Sequence, residues 1–398
     1  MLRYWVWLSQ RKYLTARDKI HLLEYFSTPE GVYLADEYDY LRAGSFNEKK
    51  LDALMDKSSD TADEILRACD NRRISLLTWQ DACYPQLLKN IPDPPLVLYY
   101  EGRLPLFNEE VTVGIVGTRT ASVYGLKHAK ELGYQIGRGG AVVISGCAAG
   151  VDRAAMEGAL TSGKTVVGVL GNGTDVVYPA FNRNLYEDVR RNGCLISEYP
   201  PGTQPTRESF PARNRIISGL SMGVLVVEAP RNSGALITAR YALDQGRDVF
   251  TIPGSLGIDS LQGNIQLLKD GAILVENGSD VLREYAGQYT SITDQRIPAD
   301  FAVSGEELQR DNDAHTEHKP IDKSKNTNYI DLEDALSDAS PEGASVLRCL
   351  VNGPKHVDII IDETQIPAAK ILQAVTLLEI RGHIKRLPGR RFSLAEKK

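Results

Sequence analysis

Val111-Thr112-Val113-Gly114-Ile115-Val116-Gly117-Thr118-Arg119 decides the fold of this 398-residue chain. A continuous β-branched run reads as a strand buried on both faces, and the glycines that close it read as a tight loop. The same grammar returns downstream. Ala141-Val142-Val143-Ile144 runs into Ser145-Gly146-Cys147-Ala148-Ala149-Gly150-Val151-Asp152, and Thr165–Leu170 runs into Gly171-Asn172-Gly173-Thr174-Asp175. Two more apolar runs, Gly223–Glu228 and Asp248–Ile252, extend the series. Helices are predicted between the runs at Tyr124–Gly137, Asp152–Thr161, Asn182–Arg191 and Gly234–Gln245. Strand, glycine loop and helix in alternation predict a parallel sheet covered by helices on both faces. In such a sheet a ligand sits at the carboxyl ends of the strands, where these loops fall.

Glycine lets a backbone approach a phosphate and present its N–H groups, and arginine adds a charged planar fork for the same anion. Gly114, Gly117, Thr118 and Arg119 suit that role, although a plain tight turn explains the glycines alone. The dinucleotide fingerprint is missing: there is no G-x-G-x-x-G, and no acidic residue ends the strand at Ile144. Ser145, Gly146 and Gly150 form a second loop, with Asp152 expected to cap the next helix. A catalytic role for Asp152 is the weaker reading, since no catalytic partner is suggested nearby in sequence. Asp175 is expected to order the Gly171 loop in the same way. Tyr178 and Phe181 put aromatic rings beside that loop, where bases can stack; core packing is the alternative, stronger for Tyr178.

The sharpest local feature is Phe210-Pro211-Ala212-Arg213-Asn214-Arg215-Ile216-Ile217, two arginines flanking an asparagine at an expected helix start. They either contact successive phosphates, or one of them pairs with Glu228 or Glu198. Ser233-Gly234 enters another helix by its N-terminus, again suited to anions. Gly158-Ala159-Leu160-Thr161-Ser162-Gly163-Lys164-Thr165 and Gly219-Leu220-Ser221-Met222-Gly223 match the Walker A and G-x-S-x-G spacings. Each runs from an expected helix into an expected strand, the reverse of the strand–turn–helix order those motifs need, which disfavours an ATPase and a serine hydrolase; a zinc-protease helix is absent.

Outward from this centre, residues 1–70 show helical spacing in Ile20–Phe26 and Leu51–Met55, separated by the Ser27-Thr28-Pro29-Glu30-Gly31 turn or cap. They read as a small helical interaction domain. A proline-held segment from Leu76 leads into an expected strand at Leu96–Tyr100. Residues 286–340 are polar and acidic, the composition of a flexible tether. Helices at Ala344–Leu350, His356–Asp362 and Ala368–Arg381, then strands at Ile384–Leu387 and Arg390–Leu394, suggest a winged helix.

The net charge of −6 is unevenly spread: −4 over residues 1–110, +1 over 111–285, −7 over 286–340 and +4 over 341–398. Any anion site must therefore be a local cluster rather than a global field. Charged residues make up 25% of the chain, as in a soluble globular protein, and no apolar run reaches the roughly 18 residues of a membrane span. Met1–Leu8 is too short for a secretion signal and lacks a small-residue cleavage site, so a core helix in the cytoplasm is expected. Five cysteines without C-x-x-C spacing predict buried thiols rather than disulfides or zinc, and His315 and His318 sit in the polar tract.

Taken in order, further blocks accompany these loops: Tyr84-Pro85, Pro94-Pro95-Leu96-Val97-Leu98-Tyr99, Tyr124-Gly125, Tyr178-Pro179, Ser197-Glu198-Tyr199-Pro200-Pro201-Gly202, Val227-Glu228-Ala229, Thr238-Ala239, Pro253-Gly254-Ser255 and Gly263-Asn264. The series resembles the DNA-processing protein A family, also called DprA or Smf, over nearly the whole chain. The resemblance implies an α/β protein in distinct parts: a helical SAM-like domain (1–75), an extended Rossmann-like parallel sheet that binds DNA and dimerises (76–285), the acidic linker (286–340) and a C-terminal winged helix (341–398). It implies a non-catalytic single-stranded DNA binder that protects incoming strands in natural transformation and loads the RecA recombinase onto them, as a homodimer away from membranes. No metal or cofactor is expected. Gly117, Arg119, Ser145, Gly146, Gly150, Arg213 and Arg215 carry over from the family motifs. With Thr118, Gly171, Phe181, Arg183, Asn214, Ser233 and Gly234 they form the expected DNA-binding set.

The chain departs from the family pattern at Met156, where members often have histidine, and at Ala180, where some carry a lysine that Arg183 is placed to replace. Two rival readings stand. The sheet is similar to that of nucleotide phosphoribohydrolases, but their Pro-Gly-Gly-x-Gly-Thr loop is replaced by Ala229-Pro230-Arg231-Asn232-Ser233-Gly234. A duplex-DNA regulator would act through a basic wing of Lys385, Arg386, Arg390 and Arg391.

Overall fold

The structure is a computed structural model that describes residues 1–286, 340–350, 355–364, 366–381, 383–387 and 391–394. It divides into two compact units, Met1–Val303 and Ser304–Lys398. Nearly all of the expected linker, with His315 and His318, lies outside the described residues, as does Arg390.

The first unit is built on strands β1 (Ser75–Thr78), β2 (Val97–Gly102), β3 (Thr112–Val116), β4 (Val142–Ser145), β5 (Val166–Leu170), β6 (Gly193–Ser197), β7 (Gly223–Val226), β8 (Asp248–Thr251) and β9 (Ile273–Leu274). They lie in the order β1-β2-β6-β5-β4-β3-β7-β8-β9. Pairing from β6 through β9 is parallel, and β2 and β1 add an antiparallel edge beside β6. The chain steps outward from β3 through β4 and β5 to β6, then returns to place β7 on the other side of β3. That reversal leaves a crevice at the carboxyl ends near β3.

Alternate strand residues face opposite sides. Val113, Ile115, Val143, Leu195 and Leu225 pack under α8 (Val123–Arg138), α9 (Val151–Thr161) and α10 (Arg183–Asn192) through Leu132, Ala155 and Val189. Val116, Ile144, Val169, Ile196 and Val224 pack under α11 (Ser209–Leu220) and α12 (Gly234–Asp244) through Ile216, Leu220 and Ala239. The sheet is therefore buried on both sides, as its β-branched strands require. In sequence, α7 (Gln86–Lys89) lies between β1 and β2, α13 (Gln262–Lys269) between β8 and β9, and α14 (Gly278–Arg283) follows β9.

Ahead of the sheet run α1 (Leu2–Ser9), α2 (Ala16–Phe26), α3 (Pro29–Leu34), α4 (Glu37–Ala43), α5 (Glu48–Met55) and α6 (Asp60–Arg72). Thr28 caps α3 with Pro29 in its first turn, so the Ser27–Gly31 segment is a cap. These helices share one core with the sheet edge: Trp7, Leu22, Tyr40 and Leu54 pack with Leu96, Val97 and Tyr99. Residues 1–75 thus fold onto β2 within the first unit.

In the second unit, α15 (Pro341–Leu350), α16 (Val357–Thr364) and α17 (Ala368–Ile380) pack beside β10 (Lys355–His356), β11 (Ile384–Leu387) and β12 (Arg391–Leu394). The strands are antiparallel in the order β10-β12-β11, over a core of Val346, Ile371, Val375 and Phe392. This is the expected winged helix with one more strand, since His356 pairs with Arg391 instead of opening a helix. No helix of the described residues is long and apolar enough to cross a membrane. The thiols differ from expectation at Cys83, which is exposed, and at Cys349, which is half-buried.

Candidate nucleic-acid interface

The carboxyl ends of β3, β4 and β5 and the first turns of α11 enclose a cavity of about 130 Å³. Arg119, Gly146, Gly171, Asn172, Tyr178 and Phe181 line it, with Phe210 and Arg213 of α11 on the far side. Tyr178 and Phe210 stack at a tilt, with ring centroids 5.4 Å apart. The Arg119 guanidinium lies 4.8 Å from the Phe210 ring centroid. Phe181, in a short 3-10 turn at Ala180–Asn182, is 62% exposed. A cation over one ring, with exposed rings beside it, presents both a charge and flat apolar faces.

Loop packing fixes where Arg119 stands. Gly150 has φ +76°, and a Cβ there would meet Thr118 O at 2.3 Å and Arg119 O at 2.7 Å. Val151 N donates to Thr118 O at 3.2 Å, and Thr118 N donates to Glu228 O at 2.7 Å. Glu228 is wholly buried; its Oε2 accepts from both N and Oγ of Ser122 at 2.9 Å. Ser122 in turn caps α8 by accepting from Gly125 N. Glu228 therefore holds both ends of the Arg119 loop.

Asp152 corrects an expectation. The cap position of α9 is Gly150, and the Asp152 carboxylate instead accepts from Gly146 N at 3.1 Å and from Ala148 N. Burial pushes its carboxyl pKa up, against the pull of nearby Arg213. Asp175 does order its loop, accepting from Gly202 N at 2.8 Å.

The two arginines of the sharpest motif part company. Arg213 is 4% exposed and donates to Gly146 O at 2.9 Å and to Val169 O. It forms the floor of the cavity, and burial lowers its pKa. Arg215 faces away. Its Nη2 grips both oxygens of Glu198 at 2.9 and 2.8 Å, and its Nε meets Asp93 at 3.0 Å. Burial disfavours its charge, but the two carboxylates outweigh that and hold its pKa above the ordinary value. Of the two alternatives read from the sequence, Arg215 takes the ion pair with Glu198.

The other expected residues divide similarly. Ser145 is fully buried and donates to Ile115 O at 2.6 Å, so it joins strands rather than facing the cavity. Gly117 is needed because a Cβ would meet the Val151 side chain at 2.5 Å. Thr118 is buried, with Oγ1 3.4 Å from that of Thr120. Arg183 opens α10, exposed and without an ion pair among the described residues. Asn214 reaches toward Gly234 O at 3.5 Å, linking α11 to the start of α12. Ser233 caps α12 through Ala235 N at 3.2 Å, and Gly234 stands open beside it.

Residues 75–286 match the family model described as DNA recombination-mediator protein A, and residues 331–390 match the DprA winged helix domain. The chain belongs to the DNA recombination-mediator protein A family. It is 32% identical over 400 residues to Protein Smf of Synechocystis, covering 98% of each chain. It is 44% identical over 206 residues to DNA processing protein DprA of Streptococcus pneumoniae, covering 52% of this chain and 72% of that protein. The X-ray structure of that DprA superposes with a TM-score of 0.63 at 34% identity, over 71% of this chain and 98% of the other. DNA processing protein A of Helicobacter pylori, studied structurally for its single-stranded DNA binding mode, superposes with a TM-score of 0.50 at 30% identity, over 55% of this chain and 97% of the other.

Within this family member, sequence reasoning missed several residues of the rim. Glu228 was weighed only as a partner for an arginine, because nothing local ties a strand-end carboxylate to Ser122. Phe210 stands in a motif but outside the expected set, and Tyr178, for which core packing is the stronger sequence reading, is 42% exposed and lines the cavity. Arg207 and Arg231 are exposed at the approaches to α11 and α12, without ion pairs among the described residues. Their signal was position, each lying just ahead of a helix N-terminus.

Proposed function

We propose that this chain binds single-stranded DNA along the carboxyl-end rim and mediates recombination without performing chemistry on the strand. The observation that carries the reading is Arg119 over Phe210 at the mouth of a cavity edged by Tyr178 and exposed Phe181. Unpaired bases offer flat faces that stack on aromatic rings, while the backbone calls for cations. Arg119 and Arg183, with Arg207 and Arg231, supply the charge, and the N-terminus of α12 at Ser233-Gly234 continues the rim beside Asn214. Two lines of support come from relatives: the family's description as a recombination mediator, and the single-stranded DNA binding studied in the Helicobacter pylori protein.

The finer reading follows the family resemblance. The protein protects incoming strands in natural transformation, loads RecA onto them, works as a homodimer and resides in the cytoplasm. A non-catalytic role is supported by the two buried carboxylates under the cavity loops: Asp152 is engaged by two backbone N–H groups beside Arg213, and Glu228 by Ser122. Lys385 is exposed on β11, as the duplex-regulator reading requires.

Titrating the full chain with fluorescent single strands at several salt concentrations tests this. Each phosphate neutralised contributes roughly 0.7 to the slope of log K against log salt. Arg119→Ala is expected to weaken binding and reduce the slope by about that amount. An unchanged affinity and slope refutes the site. Release of free base from a nucleoside monophosphate would favour the hydrolase reading, and preference for duplex over single strands would favour the regulator.

A further inference from the structure

The cavity is framed by two irregular segments, and both are tied to one point on the helical region. The segment after β5 supplies Gly171, Asn172 and Tyr178 to the cavity. The segment after β6 runs into α11, which supplies Phe210 and Arg213. They are laced together: Gly173 N donates to Thr203 O at 3.0 Å, and Gly202 N donates to the Asp175 carboxylate at 2.8 and 3.1 Å. Asp175 Oδ2 also meets Arg72 Nε at 2.9 Å. Arg72 is the last residue of α6 and does not line the cavity. Its place is set by a tight helix exit, where Arg73 takes φ 58° and Ile74 N donates to Cys69 O at 2.9 Å before β1 begins. On the opposite side Arg190 holds the β5 segment by donating to Thr174 O at 2.8 Å while it pairs with Glu101.

We infer that Arg72 is a positioning residue for the single-strand site: through Asp175 the helical region holds the β5 and β6 segments in the geometry that keeps the cavity open. This rests on the single-strand reading proposed above. Arg72 is 48% exposed and Asp175 16%, so the pair contributes little to global stability. Its effect falls on segments that have no strand or helix to hold them.

Charge makes the test sharp. If Arg72 and Asp175 acted on the ligand only as charges, Asp175→Asn would tighten binding of an anion. The tether requires it to weaken binding instead. Arg72→Gln and Asp175→Asn in the full chain are each expected to weaken single-strand affinity about two- to five-fold. Neither changes the salt slope, and the double variant is no weaker than the weaker single. Amide hydrogen exchange over residues 171–178 and 199–204 is expected to quicken in both, with the melting temperature held.

Wild-type or tighter binding by Asp175→Asn overturns the inference. So does Arg72→Gln losing about 0.7 of slope, which would make Arg72 a direct phosphate contact. Arg119→Ala run alongside separates the two claims. If it weakens binding while the tether variants do not, only the tether fails; a chain that binds no single strand overturns both.

Discussion

Replacing Arg215 separates a structural arginine from a phosphate-binding one. Its side chain is 12% exposed, against 30% for Glu198 and 58% for Asp93. Removing one partner of a fully buried pair costs about 3–5 kcal/mol, and of an exposed pair at most about 1. With the cation buried and the carboxylates partly wetted, Arg215→Ala falls between, at about 2 kcal/mol. Arg215→Lys keeps the charge but not the planar fork that grips both Glu198 oxygens, so it recovers less than half of the loss. The assay is urea unfolding of each variant beside its salt-titrated affinity for a single strand. Both variants are expected to unfold at lower urea, with a salt slope like that of the wild type. An Arg215→Ala chain of wild-type stability whose slope drops by about 0.7, restored by lysine, would refute the reasoning.

Two further perturbations probe the loops and the buried charges. Gly150→Ala drives a Cβ into the carbonyls of Thr118 and Arg119 in a conformation reserved for glycine; a loss of about 2–4 kcal/mol in urea unfolding is expected. Gly234→Ala, with nothing within 4 Å of the added carbon at the first position of α12, should hold stability or raise it by up to about 1 kcal/mol; a loss would contradict that open site. Lys19 donates to Ser9 O at 2.6 Å, and burial lowers its pKa to about 8, although Glu198 and Asp93 pull it up and Arg11 lowers it further. The folded state therefore releases its proton before the unfolded chain does. Stability should rise with pH between about 8 and the unfolded value near 10.5, by about 2–3 kcal/mol, relative to a Lys19→Met chain. A parallel pH response in the two chains would disprove this.

The sheet centre was legible because its strands are continuous β-branched runs closed by glycine, and both features are local. Strand β6 was not: Gly193-Cys194-Leu195-Ile196-Ser197 has a single β-branched residue and follows a charged helix. Strand β2 was legible at Leu96–Tyr100, but β1 fell in the connecting segment, and the antiparallel pairing of both depends on distant partners. The winged helix was legible from helical periodicity. The division between Arg213 and Arg215 stood only as one of two alternatives, because the expected helix start lies too late. The motif predicts a helix opening at the arginines, but α11 begins at Ser209, with Pro211 inside its first turn, where proline is tolerated. Once both arginines are inside a helix, residues two apart cannot face the same ligand. The pattern holds that conclusion and offers Glu198 as a partner, but nothing local points to Asp93.

A protein of net charge −6 with a nearly neutral sheet domain presents cations at this rim through orientation rather than composition. Glu228 turns inward to Ser122, Asp152 to Gly146, Asp175 to Gly202 and Arg72, and Glu198 to Arg215. Each of these four acidic side chains is spent on an N–H group or an arginine. Arg119, Arg183, Arg207 and Arg231 face outward, without ion pairs among the described residues. At physiological salt, charges beyond about 8 Å are largely screened, so a strand at the rim feels these arginines more than the acidic chain behind them. Freeing one inward carboxylate would then weaken binding more than adding an acidic residue elsewhere on the surface. The same geometry explains why net charge misleads here: the field that matters is set within one Debye length, by side-chain direction.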